Sequence, residues 1–521
     1  MNTNNVISKI TRHVVPFYFD VKNEGYENLI FELEKNGWEE KGFWNSYKRK
    51  STGLDETDIF SHLTNLFDNN EKQTNIGNSF MFNFDKYPEK NILNVNYQSK
   101  FNGEIEFTCN DLGIITFKNG IGFIWYDLSF GEKAVRLNDN EQNSEPEKDD
   151  NNNEKMPLPI SIKDFIRFNY EAKEINKSSN KIRYNDPSKK DNDFVNKEFC
   201  FGEWISEFIK LDSIEINYWA PKKYESNGKI IDVPDKALLF NYALIDNDDK
   251  EFRYKTAYRL GNGYKEKYCV PDDLINDLYN PFGNATFYVS YGGFSYVVSN
   301  SNTNDHFFRT FFLDKFAKDY FFMYILNLYQ NYSCAYYNKT LMELPSRVEQ
   351  FERKKKRNEE CKKNTEKDFL EELERVNNEI NLFLVRGIFG SVSNIEHQNR
   401  TYLYCEKRLN VKENIDSLIL GLNSLKVIEE EKEEAKIEIE NKEREKRFNR
   451  LQITVTLLAF VSIAADLIAV FGFYINRINN IKVKNVLSIL EFLAPILCPI
   501  IIIYFIYKFN SIKKNGNKPT K

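Results

Sequence analysis

A single acidic residue, Asp466, interrupts the apolar run LLAFVSIAADLIAVFGFYIN. A carboxylate in so apolar a helix is costly to bury, and such residues usually face a bundle interior or a water-filled cavity. Residues at helical spacing share its face, and most are small or polar: Ala459, Ser462, Ala469, Phe473 and Asn476. Small and polar residues on one stripe suit close helix packing around an axis. The stripe predicts a pore lined by several copies of this helix; the alternative is a buried carboxylate bonded to a neighbouring helix, without conduction.

A second candidate group is cationic and lies in the segment EFRYKTAYRLG. Interpreted as a strand, this segment places Arg253, Lys255 and Arg259 on one face and aromatic residues on the other. Three cations on one face can bind phosphate through charge-assisted hydrogen bonds, with aromatic rings nearby for a base. The segment therefore predicts a phosphate-binding site, and the alternative is a solvent-facing side of a strand.

The usual motifs of enzymes and metal sites are missing from the sequence. It has no P-loop, GxGxxG, HExxH or GxSxG motif. Its seven cysteines include no CxxC pair and only four histidines accompany them, so neither a zinc site nor a disulfide framework is indicated, as suits a reducing cytosol. A net charge of -5 gives no bias toward nucleic acid. The sequence predicts no enzyme, no catalytic residue, no cofactor and no direct nucleic-acid binding, and it identifies no metal ligand.

Two C-terminal segments are long and apolar, at 451–475 and 486–507, and each contains one Asp or Glu. At about 1.5 Å of rise per residue, both are long enough to cross a hydrocarbon core of about 30 Å. Lys and Arg are concentrated before the first segment and after the second, which predicts that both termini are cytoplasmic. We therefore expect a two-span transmembrane domain over 451–508 and a basic cytosolic tail over 509–521.

A helical stalk is predicted over 305–450. Its first part, FFRTFFLDKFAKDYFFMYILNLYQ, lacks Gly and Pro and is typical of an aromatic-packed helix on a soluble domain. Apolar residues then follow coiled-coil spacing in two seams: Phe369, Leu373, Val376, Ile380 and Leu384, then Val411, Ile415, Leu418, Leu422 and Leu425. Gly387 and Gly390 between the seams predict a helical hairpin. The charged run that follows predicts a solvated helix, and we expect an uninterrupted helix from about Gln398 to Leu451.

Residues 1–304 mix helix and strand signals and predict a cytosolic α/β or α+β sensor domain. Asn119-Gly120 lies between two apolar-rich runs, which is a strong hairpin signal, and Gly292-Gly293 gives a similar one. The stretch 138–155 contains no apolar residue and predicts a disordered surface loop.

This arrangement of an α/β domain, a helical stalk and two C-terminal spans resembles the CorA-like cation channels. The segment FAKDYFFMYILNLYQNYSCAYY resembles the aromatic helix that opens the stalk, and FGSVSNIEHQNRTYLYCEKRLNV resembles the turn of the helical hairpin. The resemblance implies a homopentameric channel. The sequence departs from the family where FGFYIN replaces Gly-Met-Asn and where Arg477, Lys482 and Lys484 make the outer loop basic. A basic mouth repels dications, which disfavours ordinary magnesium uptake.

A divergent branch of that family accompanies type III CRISPR systems and is similar to this chain in lacking Gly-Met-Asn. The resemblance implies an antiviral effector in the bacterial inner membrane, opened by a nucleotide second messenger, a conjugate of S-adenosylmethionine and AMP. Its partners would be further copies of the chain, the lipid bilayer and the messenger. Two alternatives stay open: a divalent-cation transporter that has lost its usual filter, and a membrane-anchored scaffold without conduction.

Overall fold

The computed structural model describes most of the chain between Asn5 and Arg477. The described residues are 5–21, 25–41, 43, 58–67, 75–83, 92–97, 107–130, 160–175, 180–184, 201–209, 215–219, 221–226, 229–300, 307–355, 362–477, 486 and 489. The loop predicted at 138–155 and the tail predicted at 509–521 lie outside them. Two compact units divide the chain, Met1–Leu422 and Asn423–Lys521.

The strands, in chain order, are β1 (Asn5–Tyr18), β2 (Trp38–Glu40), β3 (Gly77–Phe82), β4 (Ile92–Tyr97), β5 (Phe107–Phe117), β6 (Ile121–Phe130), β7 (Ile160–Ser161), β8 (Asn180–Tyr184), β9 (Asn217–Tyr218), β10 (Pro221–Ser226), β11 (Lys229–Pro234), β12 (Leu238–Ile245), β13 (Ala285–Ser290) and β14 (Gly293–Ser299).

The α-helices are α1 (Gly25–Lys35), α2 (Ser61–Thr64), α3 (Ile162–Lys173), α4 (Phe201–Phe208), α5 (Lys250–Asn262), α6 (Phe312–Lys315), α7 (Phe321–Lys355), α8 (Lys362–Arg386), α9 (Glu396–Arg408) and α10 (Val411–Arg477). Short 3-10 turns cover Asn65–Phe67 and Leu274–Asp277, and π-helical turns flank α6 at Phe307–Phe311 and Phe316–Tyr320.

One sheet organises the first unit, with ten strands among the described residues and the main order β13-β14-β12-β1-β6-β5-β3-β2. The short strands β7 and β9 also pair with β1. β12 and β14 run parallel, with α5 and β13 in the connection between them, whereas β1 pairs antiparallel with both β12 and β6. β1 is therefore the centre of the sheet.

The alternation of side chains along β1 separates two packed layers. His13 and its neighbours at alternate positions belong to the core beneath α3, α4 and α5. Arg12 points to the other face, where its Nη1 donates to the carbonyl of Ala317 at 2.9 Å. Aromatic rings fill that second layer: Phe240 lies 4.5 Å from Phe316, and Phe117 lies 3.9 Å from Tyr329 of α7, between ring centroids. The predicted aromatic-packed helix is thus confirmed, and its packing surface is the sheet.

Both predicted hairpins are confirmed. β5 and β6 pair across the Asn119-Gly120 turn, and β13 and β14 pair across the turn that contains Gly292 and Gly293. Gly120 has a φ of 86°, a conformation that glycine adopts without the steric cost of a Cβ.

Beyond α7, the predicted stalk contains three helices, α8, α9 and α10, where the sequence predicted a hairpin of two. α8 carries the first apolar seam, and α9 lies between it and the second seam, which opens α10. The chain turns between α9 and α10 at Asn410, whose φ is 51°. The prediction of one continuous helix from about residue 398 to residue 451 is therefore wrong, because a residue with positive φ interrupts the helical hydrogen bonds.

Among the described residues, no helix combines the length and the apolar character that crossing a membrane requires. This finding contradicts the predicted transmembrane helices, the membrane-protein and ion-channel assignment, and the expected inner-membrane location. The first predicted span, 451–475, is the end of α10, which first passes through the charged sequence EEEKEEAKIEIENKEREKR and retains Asp466. The second, 486–507, lies outside the described residues except for Val486 and Ile489.

Candidate functional site

The segment predicted as a cationic strand is the helix α5, so that prediction is wrong. The Asp249 side chain caps its first turn by accepting a hydrogen bond from the Glu251 amide at 2.9 Å. Gly263 ends it in the left-handed conformation, with a φ of 62°, and the Tyr264 amide donates to the Arg259 carbonyl at 2.9 Å. The cations therefore occupy positions on a helix instead of one strand face.

Arg253 is buried and holds the β13–β14 hairpin. Its Nε and Nη1 donate to the hydroxyls of Thr286 and Ser299, each at 3.0 Å, and its Nη2 donates to the Gly283 carbonyl at 2.9 Å. Burial lowers the pKa of Arg253, while the nearby Tyr254 and Asp248 oppose that effect. Each guanidinium nitrogen already donates to the protein, so the position suits a structural cation.

The other two predicted cations lie nearer the surface. Lys255 pairs with Glu251 one turn earlier, at 2.5 Å. Arg259 donates from Nη2 to the Glu266 carbonyl at 3.1 Å, and its buried Nε has no acceptor within the described part of the chain. Arg259 thus holds the segment after α5 that contains Tyr264 and Tyr268.

Four tyrosines gather at the C-terminal end of α5, and we call them the tyrosine cluster: Tyr258, Tyr264, Tyr268 and Tyr288. The rings of Tyr264 and Tyr268 stack with centroids 4.6 Å apart and an interplanar angle of 15°. Tyr258 lies 5.8 Å from Tyr264 and 5.3 Å from Tyr288. Tyr268 is 46% exposed, so its ring presents surface to solvent.

Neighbouring groups fix the inner end of the cluster. Asn262 donates from Nδ2 to the Tyr288 hydroxyl at 3.1 Å, and the Arg408 guanidinium carbon lies 5.6 Å from the Tyr288 ring centroid. Burial raises the pKa of Tyr288, and the positive charge of Arg408 acts in the opposite direction. Arg408 is itself anchored by Asp277 at 2.6 Å. The inner end of the cluster therefore lies near the positive charge of Arg408, which Asp277 partly offsets.

Lys173 lies at the C-terminal end of α5, next to the tyrosine cluster. Its Nζ donates to the Asn262 carbonyl at 2.7 Å, which places an ammonium at the negative end of α5. Burial first, and then Lys236, lowers the pKa of Lys173. Gly263 has a φ of 62°, which residues with a side chain rarely adopt, and a Cβ there would lie 2.7 Å from Lys173 Cδ and 2.8 Å from Leu239 Cδ1. These contacts hold the end of α5 against the sheet.

The arrangement suits recognition of a flat aromatic group that carries negative charge. An exposed tyrosine ring offers a stacking face for a base, and a guanidinium offers charge-assisted donors to phosphate oxygens. Within the described residues, no group of three His, Cys, Asp or Glu side chains is placed to hold a metal ion. The tyrosine cluster is therefore a candidate site composed of aromatic rings with arginines nearby.

The residues of the predicted pore stripe all belong to α10. Ala459, Ser462, Asp466, Ala469 and Phe473 are exposed in the single chain, and Asn476 lies on the same helix near its end. A pore across a membrane requires a membrane span, and the stripe is one face of α10.

Sequence reasoning missed most of the tyrosine cluster. Tyr264 and Tyr268 follow α5, Tyr288 lies in β13, and Arg408 ends α9, so the cluster depends on tertiary packing. One signal was available, because GNGYKEKY combines a helix-ending glycine with two tyrosines four residues apart.

Comparisons with models of protein families, with curated proteins and with solved structures find no match for this chain. The CorA-like resemblance therefore stays a prediction.

Proposed function

We propose that the first unit is a sensor for a nucleotide-like ligand and that the tyrosine cluster is its binding surface. The observation that supports this most is the exposed ring of Tyr268, stacked on Tyr264 in the segment whose Glu266 carbonyl accepts a hydrogen bond from Arg259. A base stacks on the ring while a phosphate approaches the guanidinium. The sequence resemblance adds one specific ligand to test, the conjugate of S-adenosylmethionine and AMP.

Loss of the Tyr268 ring and loss of the Arg259 guanidinium should each weaken binding of the ligand. Stacking on an aromatic side chain contributes about 1–3 kcal/mol per base, and a hydrogen bond to a charged group about 1.5–3 kcal/mol. We therefore expect Tyr268→Ser and Arg259→Ala each to raise the Kd about tenfold or more, while Tyr268→Phe, which keeps the ring, stays within about threefold. Calorimetric titration of the full chain with the conjugate, with cyclic oligoadenylates and with ATP measures these values.

Arg400→Ala is the matched control for charge. Arg400 is an exposed arginine of α9 that pairs with Glu396, so its loss removes the same charge without touching the tyrosine cluster. Binding should be unchanged. If none of the three ligands binds saturably, or if Arg400→Ala weakens binding as much as Arg259→Ala does, the proposal is wrong.

We also propose that the chain self-associates, as the expected homopentamer requires, and that α10 forms the contact between copies. Phe448, Leu451, Val455 and Leu458 follow 3-4-3 spacing and are 61–67% exposed in the single chain. That spacing matches a coiled-coil seam, and a second copy would cover these side chains.

Sedimentation of the full chain should give a multiple of 61.7 kDa. The double variant Leu451→Glu/Leu458→Glu places charges in the seam and should shift the protein toward the monomer. Ile453→Glu/Phe460→Glu makes the same chemical change at exposed positions off the seam and should leave assembly intact. A monomeric wild type, or equal dissociation of both variants, would refute this seam.

A further inference from the structure

A second group of aromatic rings lies where β1 ends, at Tyr18, and shares no residue with the tyrosine cluster. We call it the aromatic cage and define it by Tyr18, Trp219, Tyr332 and Tyr336. Tyr18 lies 5.3 Å from Trp219 and 5.9 Å from Tyr336, at interplanar angles of 56° and 49°. Trp219 lies 5.1 Å from Tyr332 at 55°. The rings are tilted against one another and each residue is half-buried, so the group keeps surface exposed to solvent.

The cage already lies beside an ammonium group of the same chain. Lys339, an exposed residue of α7, places its Nζ 5.3 Å from the centroid of Tyr18 and 3.4 Å from the Tyr18 hydroxyl. An ammonium within about 6 Å of an aromatic centroid is attracted by the negative face of the ring. Lys339 thus marks the cage as a place where a cation is stabilised.

The carboxylates of Glu379 and Asp20 lie near Tyr336, together with the guanidinium of Arg375. Burial first, then Glu379 and Asp20, raises the pKa of Tyr336, and Arg375 only partly opposes them. Glu379 receives a hydrogen bond from Arg375 at 2.5 Å. The indole Nε1 of Trp219 is buried and has no acceptor among the described residues, which leaves one directional donor for a polar atom of a ligand.

A cleft adjoins these carboxylates along α8. It has a volume of about 410 Å³ and is lined by Glu374, Arg375, Asn378, Glu379 and Leu382. The charges of Glu379 and Arg375 both reach Tyr336, so the cleft and the cage are neighbours. All five lining residues belong to α8, so the cleft is open to solvent.

We propose that the aromatic cage binds a small organic cation with a methylated ammonium group, in competition with Lys339. A primary ammonium is strongly hydrated and loses that hydration when it enters a ring of aromatic side chains. A methylated ammonium is a preferred ligand of such cages. The tethered Lys339 covers the cage without filling it and yields to the better ligand. This site is separate from the tyrosine cluster and does not depend on the nucleotide proposal.

The test compares choline with 3,3-dimethyl-1-butanol, which has the same shape but no charge. The full chain is titrated with each compound by calorimetry. We expect saturable choline binding at least tenfold tighter than that of the alcohol. Lys339→Met removes the competing ammonium and should tighten choline binding several-fold, whereas Trp219→Leu should weaken it about tenfold.

Two conservative variants keep the test independent of folding. Tyr18→Phe and Trp219→Phe preserve the aromatic faces and should bind choline within about threefold of the wild type, with unchanged thermal unfolding. No saturable choline binding by either the wild type or Lys339→Met overturns the proposal. Equal affinity for choline and the neutral alcohol also overturns it, because it reveals an apolar pocket without cation selectivity.

Discussion

Asp127→Ala will lower the free energy of unfolding by about 3–5 kcal/mol, the usual cost of leaving a buried charge without its partner. Arg12 is 1% exposed, and its Nε and Nη2 donate to the two carboxylate oxygens of Asp127 at 2.6 and 2.7 Å. Its guanidinium carbon also lies 4.5 Å from the Trp125 centroid and 4.0 Å from the Phe321 centroid. Without Asp127 the guanidinium stays enclosed by rings and loses both hydrogen bonds to that carboxylate.

Chemical denaturation of the wild type and of the variant measures this loss. The double variant Arg12→Met/Asp127→Leu removes both charges and should recover most of the stability, because apolar residues of similar volume often replace buried ion pairs without cost. Glu396→Ala, which breaks the exposed pair with Arg400, should change stability by less than about 1 kcal/mol. A small effect of Asp127→Ala would mean that solvent reaches Arg12.

Acid will destabilise the fold through His13. This residue is fully buried, its ring stacks on Tyr126 at 5.1 Å, and neither ring nitrogen has a partner among the described residues. Burial lowers the pKa of His13 from 6.5 to about 3. The unfolded chain therefore binds the proton at a higher pH than the folded chain does, so stability is complete above pH 6.5 and falls as the pH decreases toward about 3.

The expected slope is about 1.4 kcal/mol per pH unit below the unfolded pKa, which gives a loss of about 2 kcal/mol between pH 7 and pH 5. His13→Phe keeps a flat ring on Tyr126 and should remove that part of the pH dependence. His62 is exposed at α2, so His62→Phe is the matched control and should keep the wild-type slope. Equal slopes for the wild type and His13→Phe would show that His13 is not a buried neutral imidazole.

Local signals determined which parts of the fold could be predicted. The hairpin at Asn119-Gly120 followed from a turn whose glycine requires positive φ, and the aromatic helix followed from a long stretch without Gly or Pro. The strand prediction for EFRYKTAYRLG was wrong because aromatic and cationic residues alternate in this segment, which is the period of a strand. The Asp249 cap and the Gly263 terminator fit a helix, and they define α5 in the structure.

The candidate site could be predicted only in part, because its members meet through tertiary packing. Arg259 was identified from sequence, but the tyrosines beside it come from α5, from the chain that follows it and from β13. Arg253 has the same charge but is buried among the β13–β14 acceptors. No pattern in a single sequence distinguishes these two arginines, since the difference is the depth at which each lies.

The most direct measurement of the central claim is photolabelling of the full chain with 8-azido-ATP, followed by peptide mapping. The account predicts saturable labelling within Tyr264–Tyr268, loss of the label in Tyr268→Ser and Arg259→Ala, and full labelling in Arg400→Ala. An excess of the tightest-binding nucleotide from the titrations should displace the label. Saturable labelling at a different surface, or labelling that no nucleotide displaces, would contradict the claim that the tyrosine cluster binds a nucleotide-like ligand.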